Sequence, residues 1–315
     1  MEKRIRFNEW AAEWLRMKSG MVKSNTFEAT YRNSVENHLV PEFGCMFIDE
    51  IKPIELQIFL NLMIGKYSTD TVKKFKSCLN QLFEEAVWNG LCKRNPCDRL
   101  KIPKKNFNLS IEQSDGRIYS IEQMKLIKEY AVQHRFGYEV FVLIETGIRR
   151  GELLGLPWKY VDFEHNVIYI RQAAAIVKEN GINTVILGLP KTSTSIRDIP
   201  ISAELSTILL KQKKKAASDF VVSTGTGGVI NPRTWQRRHY DVFMNDMQLF
   251  YKGKGIDMPI YTPHRLRHSR TSEWVNADYN LFAVAKTLGH SNLEMLHKVY
   301  AHSDIEETRQ LLNIY

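Results

Sequence analysis

The sequence predicts a mostly α-helical chain with a small antiparallel β-sheet, split into a helical N-terminal domain and a mixed α/β C-terminal domain. Three observations carry this expectation. Apolar residues recur at helical spacing through the first hundred residues. Residues 98–118 lose that periodicity and gather Lys, Asn, Ser and Gly. Beyond them, short β-rich runs separated by Gly and Asn sit among further helical patterns. A length of 315 residues suits two domains of roughly 100–200 residues each. The expected division is a helical domain over 1–100, a linker over 101–117, and a second domain over 118–315 ending in a tail, 305–315.

Each element has a local reason. Trp10, Ala11, Trp14 and Leu15 share one face of a first helix. Ser24-Asn25-Thr26 followed by Glu28 resembles an N-cap opening a second helix to residue 38, with Pro41 and Gly44 as its stop. Pro53 opens a third helix over 54–64. Ser68-Thr69-Asp70 caps a fourth over 71–88, ended by Asn89-Gly90. In the second half, 120–134 reads as a capped helix and 138–146 as a buried one. Residues 167–171, 184–187 and 196–201 read as the strands of the small sheet. Helices resume near Ala203, Pro232 and Pro263. The run Lys211-Gln212-Lys213-Lys214-Lys215 reads as a solvated helix end.

Composition excludes several classes. No apolar run approaches the roughly 18–20 residues that span a bilayer, and the first residues lack a signal-peptide core. Cys45, Cys78, Cys92 and Cys97 form no CxxC pair or zinc pattern, so free thiols in a reducing cytoplasm are expected. Lys and Arg number 44 against 35 Asp and Glu, a net charge of +9 that suits a polyanionic partner. Residues 1–110 carry +5 of it and residues 111–315 carry +4, so either half can face that partner.

Four clusters in the second half carry chemistry. In Thr146-Gly147-Ile148-Arg149-Arg150-Gly151-Glu152-Leu153-Leu154, Arg149 sits in a turn with Glu152 near enough to orient it. The pair reads either as a brace for the turn or as a bidentate phosphate clamp. Lys191, in Pro190-Lys191-Thr192, lies at a hairpin-like turn, either solvated or reaching over a ligand as a proton donor. In His264-Arg265-Leu266-Arg267-His268, His264 and Arg267 share a helix face. The His264 and His268 spacing invites zinc, but two intervening arginines and the lack of a glutamate disfavour it. Gly289 resembles a helix C-cap that places His290 at a turn, and Tyr300 follows ten residues after His290. Together these groups match the needs of phenolic attack on a phosphodiester. Only about 0.1% of a phenol is ionised at neutral pH, so a base or cationic site must assist it. Two guanidiniums can neutralise the transition state's oxygens, and an acid must protonate the departing 5′ oxygen.

The strings TGIRRGELLGL, PKTSTSIRDIP, HRLRH and LGHSNLEMLHKVYAH, in this order, resemble the tyrosine recombinases, the phage and conjugative-transposon integrase family. The N-terminal string NEWAAEWL…TFEATYRNSVENHLVPEFG resembles that family's core-binding domain more loosely. The resemblance implies a core-binding domain and a catalytic domain closing as a C-shaped clamp on DNA. It implies Arg149 and Arg267 as phosphate clamps, with Glu152 supporting Arg149. It implies His264 in proton transfer, Lys191 as general acid, His290 as hydrogen-bond donor to the phosphate, and Tyr300 as nucleophile. The product is a 3′-phosphotyrosyl enzyme and a free 5′-hydroxyl, with no metal, cofactor or ATP. The implied partners are double-stranded DNA at inverted-repeat core sites and a homo-tetramer working through a Holliday junction. An accessory excisionase or host DNA-bending protein is a further implied partner; the implied location is the bacterial cytoplasm, with no membrane. The apolar residues of 305–315 suggest a tail that docks on a neighbouring protomer. Lys73, Lys74 and Lys76 near a helix start, with Asn25 and Thr26, read as DNA contacts or as a solvated basic face. Many members carry a further N-terminal arm-binding domain, and here core-binding helices begin almost at Met1, which leaves open arm-independent action or truncation. Three other readings compete: a type IB topoisomerase-like enzyme, a non-catalytic DNA-binding regulator, and a metal-dependent nuclease.

Overall fold

A computed structural model describes residues 4–103, 118–179, 182–189, 193–277 and 279–289. Lys191, His290, Tyr300, the tail 305–315 and most of the expected linker lie outside the described residues. The chain divides into two compact units, Met1–Gln113 with Val177–Thr184, and Ser114–Ile176 with Val185–Tyr315. No helix among the described residues is long and apolar enough to cross a membrane.

The first unit is helical. Helix α1 (Phe7–Ser19) buries Phe7, Trp10, Ala11, Trp14 and Leu15, the face its spacing dictates. The second helical run differs from the expected single capped helix. It starts at Ser24 itself, with Lys23 at the cap position and no side-chain cap. It continues through π-helical turns Phe27–Arg32 and Val35–Leu39 into Val40–Phe43. Pro41 does not stop it: the helical backbone runs through Pro41 to Phe43, and Gly44 follows as the C-cap. Helix α2 (Pro53–Lys66) opens on proline, with the Lys52 N–H donating to Glu55 Oε2 at 2.7 Å. Helix α3 (Thr69–Trp88) is capped by Ser68 Oγ, which accepts from the Thr71 N–H at 3.3 Å. An aromatic series fills the core. Phe7 meets Phe43, and Phe43 meets Phe59, edge-on at 5.8 and 5.4 Å between ring centroids.

The second unit is built around α5 (Gly137–Thr146), preceded by α4 (Ile121–Gln133). Ser120 and Gln123 close a capping box on α4. Helix α5 is buried on nearly every side, as a helix apolar all round must be. Its one buried carboxylate, Glu139, accepts from Trp235 Nε1 and pairs with His239 Nδ1 at 3.0 Å, so it has the partners that burial demands. After α6 (Arg150–Leu154) come β1 (Val161–Asp162), β2 (Val167–Ile170), β3 (Ala173–Glu179), β4 (Ile182–Gly188) and β5 (Arg197–Pro200), of which the end of β3 and the start of β4 are counted with the first unit.

The expected single sheet is in fact two: an antiparallel β1-β2-β5 sheet and a separate β3-β4 pair. The sequence conceals β3 because its opening alanines have little strand preference and do not alternate. In the three-stranded sheet Ile168 stands opposite Ile199, and Ile170 opposite Arg197. Helices α7 (Ala203–Lys213), α8 (Pro232–Trp235), α9 (Asp241–Lys252), α10 (Pro263–Asn276) and α11 (Leu281–Leu288) complete the unit. Helix α5 touches α7 and α10 as well as α4, which makes it the frame on which the site is mounted.

Candidate active site

The site gathers where α5 ends, α6 and α10 begin, and α11 ends. Gly147 closes α5 at φ 63°, and Gly289 closes α11 at φ 67°. Both lie in the left-handed region that glycine adopts without strain. A Cβ on Gly147 would stand 2.9 Å from Leu288 Cδ2, so the two turns are also packed together.

Arg149 occupies the cap position of α6. Its backbone N–H donates to Glu152 Oε2 at 2.8 Å, and its Nη1 donates to Glu152 Oε1 at 2.9 Å. Nη1 also reaches Ser195 Oγ at 3.4 Å, and Nη2 donates to the Gly289 carbonyl at 3.0 Å. Arg267, buried on α10, bridges the two turns. Its Nη1 donates to the Gly147 carbonyl and its Nη2 to the Leu288 carbonyl, each at 2.7 Å. A guanidinium has five N–H donors. Among the described residues these bonds engage three side-chain donors of Arg149 and two of Arg267, so each keeps donors for a ligand. Burial first, then the charge of Arg149, lowers Arg267 to about 9, and it stays protonated at neutral pH.

A cavity of about 380 Å³ opens over these groups, lined by Arg149, Arg150, Gln236, His264 and Arg267 among others. No carboxylate lines it among the described residues, and the first turn of α10 adds its positive dipole end. It is built for an anion. His264 is exposed at the start of α10. Partial desolvation, then the charges of Arg267, Arg265 and Arg149, lower its imidazole below the ordinary histidine value. Beneath, Glu152 is buried. Burial pushes its carboxyl up, but the hydrogen bonds and charge of Arg197, then the N–H and charge of Arg149, outweigh this and hold it below the ordinary value.

His268 packs edge-on to His264 at 4.5 Å between centroids. Burial, then His264 and the two neighbouring arginines, lower it to about 4. Between that value and the unfolded 6.5, the unfolded chain binds the extra proton. Stability from this residue is therefore complete above pH 6.5 and lost as pH falls towards 4. The expected loss between pH 7.5 and 5 is roughly 1–2 kcal/mol after allowing for solvent screening. Urea titrations of wild type and His268→Gln at both pH values check this, since the variant must show the smaller loss.

The structure thus brings together Arg149, Glu152, His264 and Arg267 in the second unit, with Arg149 bracing its turn through Glu152. Of the first-unit residues, Asn25, Thr26, Lys73 and Lys74 are exposed. Lys73 pairs with Asp70 at 3.0 Å, and the Lys76 ammonium is engaged on the Leu100 carbonyl at 2.7 Å. Sequence reasoning missed Arg197. It lies on the inward phase of β5 with Ile199, and an arginine on that face is the signal that could have found it.

The chain matches the model of the phage integrase family over residues 118–307, and that of the phage integrase central domain over residues 7–102. It is 29% identical over 312 residues to a tyrosine recombinase XerC-like protein of Caldanaerobacter subterraneus subsp. tengcongensis, covering 93% of this chain and 77% of that one. It is 24% identical to the integrase of Staphylococcus phage L54a, covering 98% and 92%. Among solved structures, the Tn1549 transposon integrase in complex with a circular intermediate DNA superposes with a TM-score of 0.79 at 21% identity, over 98% of this chain and 99% of that one. A lambda integrase dimer bound to a COC′ core site gives a TM-score of 0.64 at 15% identity, over 94% and 77%. At these identities the structural likeness establishes the fold, whereas the family match spans more than half of the sequence. A helical unit followed by an arginine-lined catalytic unit, with both family domains in register, makes this chain a member of the phage integrase family and a tyrosine-type site-specific DNA recombinase.

Proposed function

We propose that Arg149 and Arg267 clamp the scissile phosphodiester of a DNA duplex while Tyr300 attacks it. The observation that carries the reading is the pair of guanidiniums anchored on the Gly147 and Gly289 turns, facing one cavity that His264 also lines. His264 takes the phenolic proton as the Tyr300 oxygen bonds to phosphorus. The 5′ oxygen leaves with a proton from Lys191, and His290 donates to a phosphate oxygen. The arginines compensate the charge of the pentacoordinate state. The 3′-phosphotyrosyl bond keeps the energy of the broken linkage, so a 5′-hydroxyl from a second duplex can reverse the step and exchange strands. Such exchange proceeds through a Holliday junction, in a tetramer in which the tail 305–315 docks on a neighbouring protomer. The lambda integrase tetramer bound to a Holliday junction is the structural precedent for that assembly.

The DNA carries inverted core sites, and the basic excess in both halves of the sequence suits it. Lys73 and Lys74, with Asn25 and Thr26, contact its phosphates, while Lys76 supports the Leu100 carbonyl. An excisionase or a host DNA-bending protein sets direction, and the enzyme works in the bacterial cytoplasm. The test is a nicked suicide duplex bearing the element's end sequence, incubated with the full chain in EDTA. The expected result is a covalent adduct on a 3′ phosphate, mapped by peptide mass spectrometry to Tyr300. Specific binding without an adduct overturns the catalytic reading in favour of a regulator, and an adduct mapped to another residue overturns the nucleophile.

A further inference from the structure

Arg197 does not line the cavity, yet it is one of the most heavily engaged side chains beneath it. It is 5% exposed. Its Nη1 and Nη2 grip Glu152 Oε1 and Oε2 at 3.0 and 2.9 Å. Nη1 also donates to the Ser195 carbonyl at 2.9 Å, and Nε donates to the Thr287 carbonyl at 2.5 Å. The same two Glu152 oxygens hold Arg149, through its Nη1 and its backbone N–H. Glu152 can therefore aim Arg149 only if its own carboxylate plane is fixed, and Arg197 fixes that plane. Arg197 also binds the carbonyl two residues before Gly289, whose own carbonyl receives Arg149 Nη2. A Cβ on Gly289 would lie 3.1 Å from Arg197 Nη1, so this turn closes directly over the guanidinium.

We infer that Arg197 is a positioning residue for strand cleavage. It locks the Glu152 carboxylate and the end of α11 into one unit, so that Arg149 meets the phosphate already oriented. Only a planar fork can satisfy a carboxylate with two donors and still turn Nε to a carbonyl, so lysine is not an equivalent. Small misplacements of a charge-bearing group cost about 100-fold in rate. The inference rests on Arg149 being a phosphate clamp.

The experiment uses the full chain with Arg197→Lys and Arg197→Met on two suicide duplexes. One has an ordinary scissile phosphate and the other a neutral methylphosphonate at that position. On the phosphate duplex, at saturating protein, cleavage is expected to fall about 10-fold for lysine and about 100-fold for methionine, with duplex affinity within about 3-fold of wild type. On the methylphosphonate duplex the deficits should shrink to about 3-fold or less, because a linkage without charge does not need a well-aimed guanidinium. Loss of fold alone would slow both substrates equally. If the methionine variant is unfolded by its melting curve, the lysine variant, which keeps the buried charge, decides. Equal deficits on the two duplexes, or a lysine variant at wild-type rate, overturn the inference and leave the catalytic reading standing. Wild type failing to cleave the phosphate duplex strikes the catalytic reading itself, and this inference with it.

Discussion

Glu152→Ala is expected to destabilise the second unit by about 3–5 kcal/mol, the range seen when one partner of a buried ion pair is removed. The carboxylate and the Arg197 side chain are both almost fully buried, so nothing replaces the lost charge. Two guanidiniums lose their shared acceptor in one substitution, and their mutual repulsion is then uncompensated. Glu152→Gln keeps the shape and one acceptor oxygen, and should lose distinctly less. Urea unfolding of both variants, followed by a probe in the second unit, gives the comparison. A loss below about 1 kcal/mol for alanine would mean that solvent reaches Arg197 and that the pair contributes no more than a surface bridge. The sign of the pH dependence follows from the depressed Glu152 carboxyl. Its stabilisation is present above the ordinary carboxylate value and is lost as pH falls through its lower folded value.

Arg267→Ala is expected to lower the cleavage rate by about 100- to 1000-fold, as removal of one preorganised donor to a developing charge does. It also orphans the buried carbonyls of Gly147 and Leu288, at about 1–3 kcal/mol each. Duplex affinity should change little, because affinity is spread over many phosphate contacts while the transition state is met here alone. Single-turnover cleavage and a separate binding titration divide the two effects. An equal fall in affinity and rate would place Arg267 in ground-state binding rather than in transition-state stabilisation.

Much of this was legible residue by residue. Trp10, Ala11, Trp14 and Leu15 announced α1 by spacing alone, and all four are buried. Ser68 and Ser120 cap the helices they precede. Gly289 takes the left-handed turn that its reading as a C-cap suggested, and Gly147 closes α5 in the same way. Arg149, Glu152, His264 and Arg267 were legible as a group because their types suit one phosphodiester chemistry and the strings that carry them resemble those of the tyrosine recombinases. Pro41 misled because the helical backbone continues through it for two more residues, and the stop falls at Gly44 instead. Arg197 escaped because its inward phase on β5 marks only that it is buried, while its partner, Glu152, lies 45 residues away. The separate β3-β4 pair escaped for a related reason, since pairing is decided between strands rather than within them.

The arginines at the end of α11 all read main chain. Arg197, Arg267 and Arg149 terminate on the carbonyls of Thr287, Leu288 and Gly289, three consecutive residues. Such a lock is indifferent to side-chain identity at Thr287, which can drift in sequence without loosening it. It is intolerant of a change in phase. One residue inserted into α11 would turn those carbonyls by about 100° and lift them by about 1.5 Å, out of reach of all three guanidiniums together. Substitution scanning and insertion scanning of this helix should therefore give opposite pictures of how much variation the enzyme accepts.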